Sequence, residues 1–467
     1  MNAFYRAFVV LTVLAGVSLV AVGQNGAPAN DSSVLPPLSC SLAPCVLPPT
    51  QVSPGPNGVN SAPIVVNPSN LTDIIVGSND RNCGFEGEPS LGFFLSFGGS
   101  NWDQYCMLGR AVGGHDYVPV GEPILAFARN GMAYLGGFYA DSNSGSNIAF
   151  EAFQKSRDGV HWSLPAVSVY RRDYIPYTCW MTADANLSSQ YLNSVYVSCA
   201  MSGPIQNPKY NQMVVSRSDN GGATWHQVNV APPQVSPAED LYNSMAIGKD
   251  GSVYLAWQYC DQQTYCENGP AYMVFSKSTD GGHTWSKPTP VAPVALVYPL
   301  PNAPGIFVRD TPAIGVDMSN GPHAGNLYVA MYNWTGTFMQ VVVARSTDSG
   351  ATWSKPVPVA PGFTNDQFFP WLSVSPNGLV GVVWLDRRND PNNIEYQAFA
   401  AISSDGGLSF QPNVQLTQNF SNPVLGDIGS DSYNGAAWDG PNYFIAAWMD
   451  SSNGVNMQDV VGGIRLK

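Results

Sequence analysis

The sequence predicts an all-β fold assembled from repeated strand-and-turn units. Its 467 residues include 46 Gly, 38 Pro and 12% aromatic residues but only 11% charged residues, which is typical of strands and turns. A short turn motif recurs along the chain, and an apolar strand pattern recurs in step with it. These three observations exclude helical bundles and coiled coils.

The charge of the chain excludes one broad class of partner. The formal net charge is −13 and the sequence pI is about 4.6. Proteins that bind nucleic acids carry a basic surface, because that surface neutralises the phosphate groups. We therefore expect no nucleic-acid partner.

The N-terminal segment has the pattern of a secretory signal. Arg6 precedes an uncharged run over residues 7–23, whose last three residues fit a small-residue cleavage site. A retained membrane anchor is the alternative, but the run is short for a bilayer span and no basic cluster follows it. We predict a signal peptide over residues 1–23, a linker rich in Pro and Ser over 24–46, and one repeat domain over 47–467. The mature protein is then extracellular or periplasmic, with no membrane span after cleavage.

The eight cysteines fall in neighbouring pairs along the chain. Export exposes cysteines to oxidising conditions, in which such pairs form local disulfides. A zinc site is the alternative, but the sequence has no C-x-x-C pair and only five His. The predicted disulfides are Cys40–Cys45, Cys83–Cys106, Cys179–Cys199 and Cys260–Cys266.

The turn motif reads S-x-D-x-G-x-T-W. Two copies fit it fully, Ser278–Trp285 and Ser346–Trp353. Variants lie at Ser156–Trp162, Ser218–Trp225 and Ser403–Phe410, and a degenerate copy lies at Ser96–Trp102. The Ser, Asp and Thr side chains can bond backbone groups of the turn, and glycine supplies a positive φ. A site repeated in every unit cannot converge on one ligand, so we expect the motif to be structural. Its central residues are Asp158, Asn220, Asp280, Asp348 and Asp405.

These copies resemble the Asp-box, or BNR, repeats of sialidases and of many other secreted β-propellers. The resemblance implies a ring of four-stranded blades, with the Asp-box turns on the face opposite the ligand-binding loops. One feature of sialidases is missing. Their Arg-Ile-Pro signature near the first blade is absent, and the nearest string, Val308–Pro312, lies in the fifth unit.

An apolar strand precedes each copy of the turn motif. The seven strands recur about every 62 residues and contain Ile74, Ala133, Val195, Val253, Leu327, Val380 and Phe444. We therefore predict seven four-stranded blades. Six blades are the alternative, because sialidases themselves are six-bladed.

The seventh unit ends where its turn motif would begin, so it lacks an outer strand. Thr50–Ser53 resembles Val414–Thr417, the segment that follows the last good copy of the motif. We expect this N-terminal segment to supply the missing strand, because pairing N- and C-terminal strands in one blade removes an open sheet edge.

Propeller connectivity sorts the loops between two faces. Loops that follow a second strand and loops that enter a first strand share one face, and ligands of propellers bind over its centre. The resemblance to sialidases implies arginines that hold a substrate carboxylate, a Tyr nucleophile paired with a Glu, and an Asp acid. The candidate catalytic residues are Arg81, Arg309, Arg387, Asp310 and Asp386. The candidate substrate-binding residues are Asp80, Glu122, Asp366 and Arg388.

Other interpretations of this face stay open. Each Asp–Arg pair could instead brace neighbouring blades or lie solvated on a loop. The sequence identifies no Tyr–Glu pair, since Tyr139, Tyr177, Tyr259 and Tyr433 are expected to pack or to line a rim. We predict no cofactor, although an Asp-rich loop such as Asp386–Asp390 could hold Ca²⁺.

Two functions fit these expectations. The first is a secreted, monomeric, sialidase-like enzyme that processes a glycan or glycoprotein. The second is a non-catalytic propeller that binds glycans or proteins at the cell surface. A Tyr and a Glu that approach each other beside arginines would favour the enzyme.

Overall fold

The computed structural model describes residues 40, 42–84, 90–97, 101–112, 114–142, 148–205, 209–261, 269–297, 299–301, 311–410, 412–426 and 432–467. These residues form seven antiparallel sheets, which are the blades of a β-propeller. The prediction of seven blades is confirmed, and the six-bladed alternative is wrong. The predicted signal peptide lies outside the described residues.

Strands are numbered in chain order. The first strand, β1 (Cys45–Gln51), belongs to the last blade. Blade 1 contains β2 (Val59–Asn60), β3 (Ile64–Val66), β4 (Ile74–Asp80), β5 (Ser90–Ser96) and β6 (Asp103–Cys106). Blade 2 contains β7 (Arg110–Val112), β8 (His115–Phe127), β9 (Ala133–Asp141), β10 (Ala149–Ser156) and β11 (Ala166–Val169). Blade 3 contains β12 (Ile175–Ala183), β13 (Val195–Gly203), β14 (Tyr210–Ser218), β15 (His226–Asn229) and β16 (Gln234–Val235).

The remaining blades are four-stranded. Blade 4 contains β17 (Glu239–Ile247), β18 (Val253–Cys260), β19 (Gly269–Ser278) and β20 (Thr289–Leu296). Blade 5 contains β21 (Ala313–Val316), β22 (Leu327–Trp334), β23 (Met339–Ser346) and β24 (Val357–Pro358). Blade 6 contains β25 (Gln367–Val374), β26 (Val380–Asp386), β27 (Gln397–Ser403) and β28 (Asn413–Gln415). Blade 7 contains β29 (Gly435–Asp439), β30 (Tyr443–Asp450), β31 (Gln458–Arg465) and β1, and a short 3-10 helix (Pro423–Leu425) precedes it.

The apolar strands recognised in the sequence are the second strands of the blades. They are buried on both faces, because neighbouring blades pack against each side of every sheet. Trp257, Trp384 and Trp448 are fully buried and stand at equivalent positions in three of these strands. The first strands contact one another in order, from β3 through β8, β12, β17, β21 and β25 to β29, and β29 returns to β3. The first strands therefore surround the axis of the ring.

The ring closes as the sequence predicts. Strand β1 pairs antiparallel with β31, with Gln51 opposite Val460 and Cys45 opposite Arg465. Just beyond β1, the Ser53 hydroxyl donates a hydrogen bond of 2.5 Å to the Gln458 side chain. The closing strand begins earlier than the predicted Thr50–Ser53, so the N-terminal segment covers more of the sheet edge than the sequence comparison suggested.

The turn motifs connect third strands to fourth strands. At the copy in blade 5, the Ser346 hydroxyl donates to Asp348 at 2.7 Å, and the Thr352 hydroxyl donates to the same carboxylate at 2.6 Å. The bond from the Thr352 hydroxyl, with those from its backbone amide and from Ser346, lowers the pKa of Asp348 to about 2. The carboxylate thus stays charged and holds its turn together, which is the structural role expected for the motif.

Three of the predicted disulfides are present, Cys40–Cys45, Cys83–Cys106 and Cys179–Cys199. The fourth prediction involves Cys266, which lies outside the described residues. Across the described part of the chain, no helix is long and apolar enough to span a membrane.

Candidate functional site

Five blades carry an irregularity at the same level of the ring, within the first strand or, in blade 1, between β2 and β3. In each, one non-glycine residue adopts a positive φ, between 42° and 67°. These residues are Ser61, Glu122, Thr178, Tyr242 and Phe369. Such a conformation costs on the order of 1–3 kcal/mol per residue and persists only where the surroundings enforce it, so its repetition around one axis points to a functional site.

Neighbouring blades provide that enforcement through side-chain hydrogen bonds. The backbone amide of Glu122 donates to the Asn79 side chain of blade 1 at 2.8 Å. Between blades 6 and 7, the Asn434 side chain donates to the carbonyl of Phe369 at 2.8 Å. Each bond satisfies a backbone group that the regular strand pairing leaves unpaired at a bulge.

Blades 3 and 4 are joined in the same way. The backbone amide of Tyr242 donates to the Thr178 hydroxyl at 3.2 Å, and the Asn243 side chain donates to the Thr178 carbonyl at 2.5 Å. The Asn243 side chain also accepts a hydrogen bond from the Ser198 hydroxyl. Two bulged residues of adjacent blades are therefore fixed to each other.

Three aromatic side chains meet at the centre of the ring. Trp180 of blade 3 and Trp371 of blade 6 have ring centroids 4.5 Å apart, although their blades lie on different sides of the axis. Tyr433, which enters blade 7, lies 5.8 Å from Trp180 and 6.0 Å from Trp371. We call these residues the axial aromatic cluster. It fills the centre of the channel with apolar rings.

An axial pocket lies against this cluster, and its cavity volume is about 20 Å³, with further space open to solvent. Its lining residues are Glu122, Thr178, Cys179, Trp180, Tyr242, Asn243, Thr311 and Tyr433. Thr311 and Tyr433 lie just before β21 and β29, on the face predicted to bind ligands, and the other lining residues lie within β8, β12 and β17. Its lining combines aromatic walls with a few converging polar groups, while the cavity itself has room for about one water molecule.

The pocket also brings a glutamate and tyrosines together. The Tyr433 hydroxyl donates a hydrogen bond of 2.5 Å to the carbonyl of Pro123, the residue next to Glu122. Tyr242 lines the same pocket. Tyr433 was expected to pack or to line a rim. It packs within the axial aromatic cluster and also lines the pocket. Of the predicted substrate-binding residues, Glu122 is the one that lines the pocket.

Arg387 and Asp366 do not line the axial pocket. They form an ion pair of 3.2 Å in which both side chains are essentially inaccessible, and the guanidinium also lies over the Phe368 ring. Burial lowers the pKa of Arg387, and the charge of Asp366 opposes that shift. Asp366 further accepts bonds from the Met339 amide at 2.8 Å and from Asn393 at 2.7 Å. The pair lies inside blade 6, and the bond from Met339 joins it to blade 5, which agrees with the alternative that Asp–Arg pairs brace neighbouring blades. The catalytic role of Arg387 stays a prediction.

Arg388 and Asp386 form a second internal pair, with 2.5 Å between guanidinium and carboxylate. The indole of Trp384 donates to Asp386 at 2.7 Å, and the Arg388 guanidinium lies 4.2 Å from the ring centroid of Phe399. Both side chains are therefore already bonded within the blade. The catalytic role of Asp386 and the substrate contact of Arg388 stay predictions.

Asp80 is buried at the end of β4. Its carboxylate accepts bonds from the Asn82 backbone at 2.7 Å and from the Gln104 side chain at 2.5 Å, so it caps a turn. Arg81 is half-buried beside it. Arg309 and Asp310 lie outside the described residues, and their roles stay predictions. Within the described ranges, no group of three or more His, Cys, Asp or Glu side chains is arranged to hold a metal ion.

Most pocket residues were not predicted from the sequence. Thr178, Trp180, Asn243 and Thr311 lie in segments that look like ordinary strand entries. One signal could have found two of them, because Thr178 and Trp180 flank a cysteine assigned to a disulfide. Thr311 lies in the Val308–Pro312 string beside two candidate catalytic residues, and Asn243 carries no such mark.

Fold and site together define a seven-bladed β-propeller with an aromatic-floored axial pocket. No protein-family profile matches the sequence. A sialidase from Micromonospora viridifaciens is 28% identical over 235 residues, which is 47% of this chain and 34% of that relative. The chain therefore spans about a third of the length of this curated relative, and its similarity to sialidases agrees with the resemblance of the turn motifs.

Solved structures resemble the chain in fold. A polysaccharide lyase, an ulvan lyase bound to -[GlcA(1-4)Rha3S]-, has a TM-score of 0.51 at 12% identity, covering 87% of this chain and 94% of the lyase. The Hadza microbial sialidase Hz136 has a TM-score of 0.45 at 14% identity, covering 82% of this chain and 75% of the sialidase. At these identities the likeness concerns the fold alone.

Proposed function

We propose that this protein is a secreted, sialidase-like protein that binds and hydrolyses a glycan at the axial pocket. The observation that supports the proposal is that Glu122, Tyr242 and Tyr433 line the same pocket beside the indole of Trp180. A carboxylate and a tyrosine hydroxyl are the pair of groups that the sialidase resemblance requires for nucleophilic catalysis. The similarity to a sialidase supports the same reaction class.

We propose that the sugar binds across the open mouth of this small pocket. The rings of Trp180 and Tyr433 offer flat apolar surfaces against which the C–H groups of a pyranose can pack. The side chains of Thr178, Asn243 and Thr311 add hydroxyl and amide groups for the sugar hydroxyls. A site with few charges selects its ligand by shape and hydrogen bonds.

Glu122 is the proposed general base, and Tyr242 and Tyr433 are the candidate nucleophiles. In the first proposed step, the tyrosine oxygen attacks the anomeric carbon as its proton passes to the carboxylate, and the glycosidic oxygen leaves with a proton from an acid. In the second, water attacks the anomeric carbon and gives a proton back to that acid, and the released tyrosine oxygen regains its proton from Glu122. Arg309 and Asp310 directly precede the pocket residue Thr311 in sequence. They remain our candidates for a substrate-carboxylate contact and for that acid.

A second function is favoured by two specific contacts. The Tyr433 hydroxyl is already committed to the Pro123 carbonyl, and Arg387 is committed to Asp366 inside blade 6. Neither group is therefore poised for catalysis in this arrangement. The corresponding proposal is a propeller that binds glycans in the axial pocket without cleaving them.

A glycoside panel tests both proposals. The purified mature protein is assayed with fluorogenic glycosides that include a sialoside, and its binding is measured on a glycan array. The hydrolase proposal expects turnover that Glu122→Gln lowers by at least about a hundredfold. The matched control is Glu395→Gln, because Glu395 follows a second strand, in a loop on the same face, and does not line the pocket. Array binding that Glu122→Gln weakens, without turnover, supports the binding protein, and full turnover in Glu122→Gln contradicts the hydrolase mechanism.

Export is proposed on the predicted signal and is supported by the three disulfides. Expression of the full chain in a host with a secretory pathway tests it. We expect the protein outside the cytoplasm with a mass that begins at Gln24, and retention of residues 1–23 would contradict the predicted cleavage.

A further inference from the structure

The segment Thr178–Trp180 contributes three consecutive residues to the axial pocket. A regular strand points successive side chains to opposite sides, so it would offer every second residue to one site. Here the pairing of β12 with β13 shifts register between Tyr177 and Trp180, and Thr178 has a φ of 49°. The bulge is what turns this short segment toward the pocket.

A disulfide crosses the sheet at this bulge. Tyr177 pairs with Ala200 and Trp180 with Ser198, which leaves Cys199 as the one residue opposite the two bulged ones. Cys179 is bonded to Cys199, with 4.2 Å between their Cα atoms, and Cys199 is fully buried in the sheet. The cross-link therefore joins the irregular strand to a regular, buried one.

Hydrogen bonds join this segment to blade 4. Thr178 accepts hydrogen bonds from the Tyr242 amide and from the Asn243 side chain, and all three residues line the pocket. On its other side, Trp180 packs on Trp371 and Tyr433 in the axial aromatic cluster. A shift of the bulge would disturb both the polar wall and the aromatic floor.

We infer that the Cys179–Cys199 disulfide positions the ligand-binding surface of the axial pocket, by holding Thr178 and Trp180 in their bulged conformation. The inference rests on the proposed function, since it takes the axial pocket as the glycan site. Cys179 and Cys199 are positioning residues and take no part in the chemistry. Without the bond, the strand can relax toward regular pairing, which removes the positive φ at Thr178.

The chain contains a matched control for this inference. The Cys83–Cys106 disulfide closes a segment with a sequence separation of 23, against 20 for Cys179–Cys199, so the two bonds constrain the unfolded chain almost equally. Cys106 lies on β6, the outermost strand of blade 1, away from the axis. Loss of either bond should cost similar global stability, and only one loss should change the pocket.

The experiment compares the double variants Cys179→Ala/Cys199→Ala and Cys83→Ala/Cys106→Ala. Glycan affinity is measured by calorimetry with a ligand identified on the array, and amide hydrogen exchange is followed by mass spectrometry. We expect the first variant to lose at least about tenfold in affinity and to exchange the Tyr242 amide faster than the wild type, while the control changes affinity less than about twofold. A KM that rises with kcat little changed is expected if the protein turns the glycan over.

Equal affinity losses in the two variants would overturn the inference, as would wild-type exchange at Tyr242 in Cys179→Ala/Cys199→Ala. The exchange measurement needs no ligand. If the wild type binds no glycan, the proposed function fails while the positioning role of the disulfide is still decided by the Tyr242 amide. If the first variant does not fold, dithiothreitol titration of the folded wild type, followed by the same exchange measurement, takes its place.

Discussion

Trp180 and Trp371 pack against each other across the axis of the propeller, with ring centroids 4.5 Å apart and an angle of 37° between the planes. They come from blades 3 and 6, which are separated by almost 200 residues of sequence. Their contact joins two blades that are not neighbours, in addition to the packing between adjacent blades. It also forms the floor on which the axial pocket depends.

Truncation of one of these rings should therefore weaken the whole ring. Trp371 is almost fully buried, so Trp371→Ala removes a large apolar group and leaves a cavity at the axis. We expect the free energy of unfolding to fall by about 3–5 kcal/mol, measured by chemical denaturation. Trp371→Phe keeps an aromatic ring and should lose clearly less. Stability of Trp371→Ala within about 0.5 kcal/mol of the wild type would show that the cluster does not support the ring.

Removal of Arg387 should act on stability and not specifically on turnover. Arg387→Ala leaves the buried carboxylate of Asp366 without its cation, which costs about 3–5 kcal/mol in comparable buried pairs. The control is Arg172→Ala, because the Arg172 side chain is 87% exposed and its deletion should change stability by less than about 0.5 kcal/mol. A variant Arg387→Ala with wild-type stability and no activity would instead restore the catalytic role predicted from the sequence.

Asp240 should make stability depend on pH. Burial raises the pKa of Asp240 to about 6, and hydrogen bonds from Trp257 and Gln234 oppose the shift. The folded state therefore holds the proton more tightly than the unfolded state, so stability is highest below about pH 4 and falls as the pH rises to about 6. The loss amounts to about 3 kcal/mol at neutral pH.

The variant Asp240→Asn tests this prediction, because an amide can still accept the bond of 2.7 Å from the Trp257 indole. We expect it to melt at a higher temperature than the wild type at pH 7 and at a similar temperature at pH 4. Asp116→Asn is the control, since the Asp116 side chain is exposed. A pH-independent difference between Asp240→Asn and the wild type would contradict the assigned titration.

Deletion of residues 47–57 should open the ring. It removes most of the pairing between β1 and β31 and the bond from Ser53 to Gln458, and it exposes the edge of β31. We expect a lower melting temperature in calorimetry and self-association in size-exclusion chromatography. Deletion of residues 24–34, which has the same length and lies in the predicted linker, should change neither. An unchanged melting temperature after removal of 47–57 would count against closure by the N-terminal strand.

Much of the architecture follows from local patterns. The second strands are recognisable because seven runs of apolar residues are buried on both faces, and the turn motifs are recognisable because hydrogen bonds between near neighbours, such as Ser346 with Asp348, define them. Both signals are short-range, so a reader of the sequence can count blades and find the closing strand. Three of the disulfides follow for the same reason, since each joins neighbouring cysteines.

The candidate site depends on contacts that no local pattern contains. Glu122, Thr178 and Tyr433 line one pocket only because seven blades close on one axis. Glu122 and Thr178 lie at bulges that inter-blade hydrogen bonds hold and that strand periodicity does not predict. The charge of Arg387 suggested a substrate contact. In the structure Arg387 is buried inside blade 6 and pairs with Asp366. By itself, the sequence determined the repeat, its seven-fold count and its closure. Only the tertiary structure decided which polar residues reach the axis, because that depends on residues hundreds of positions apart.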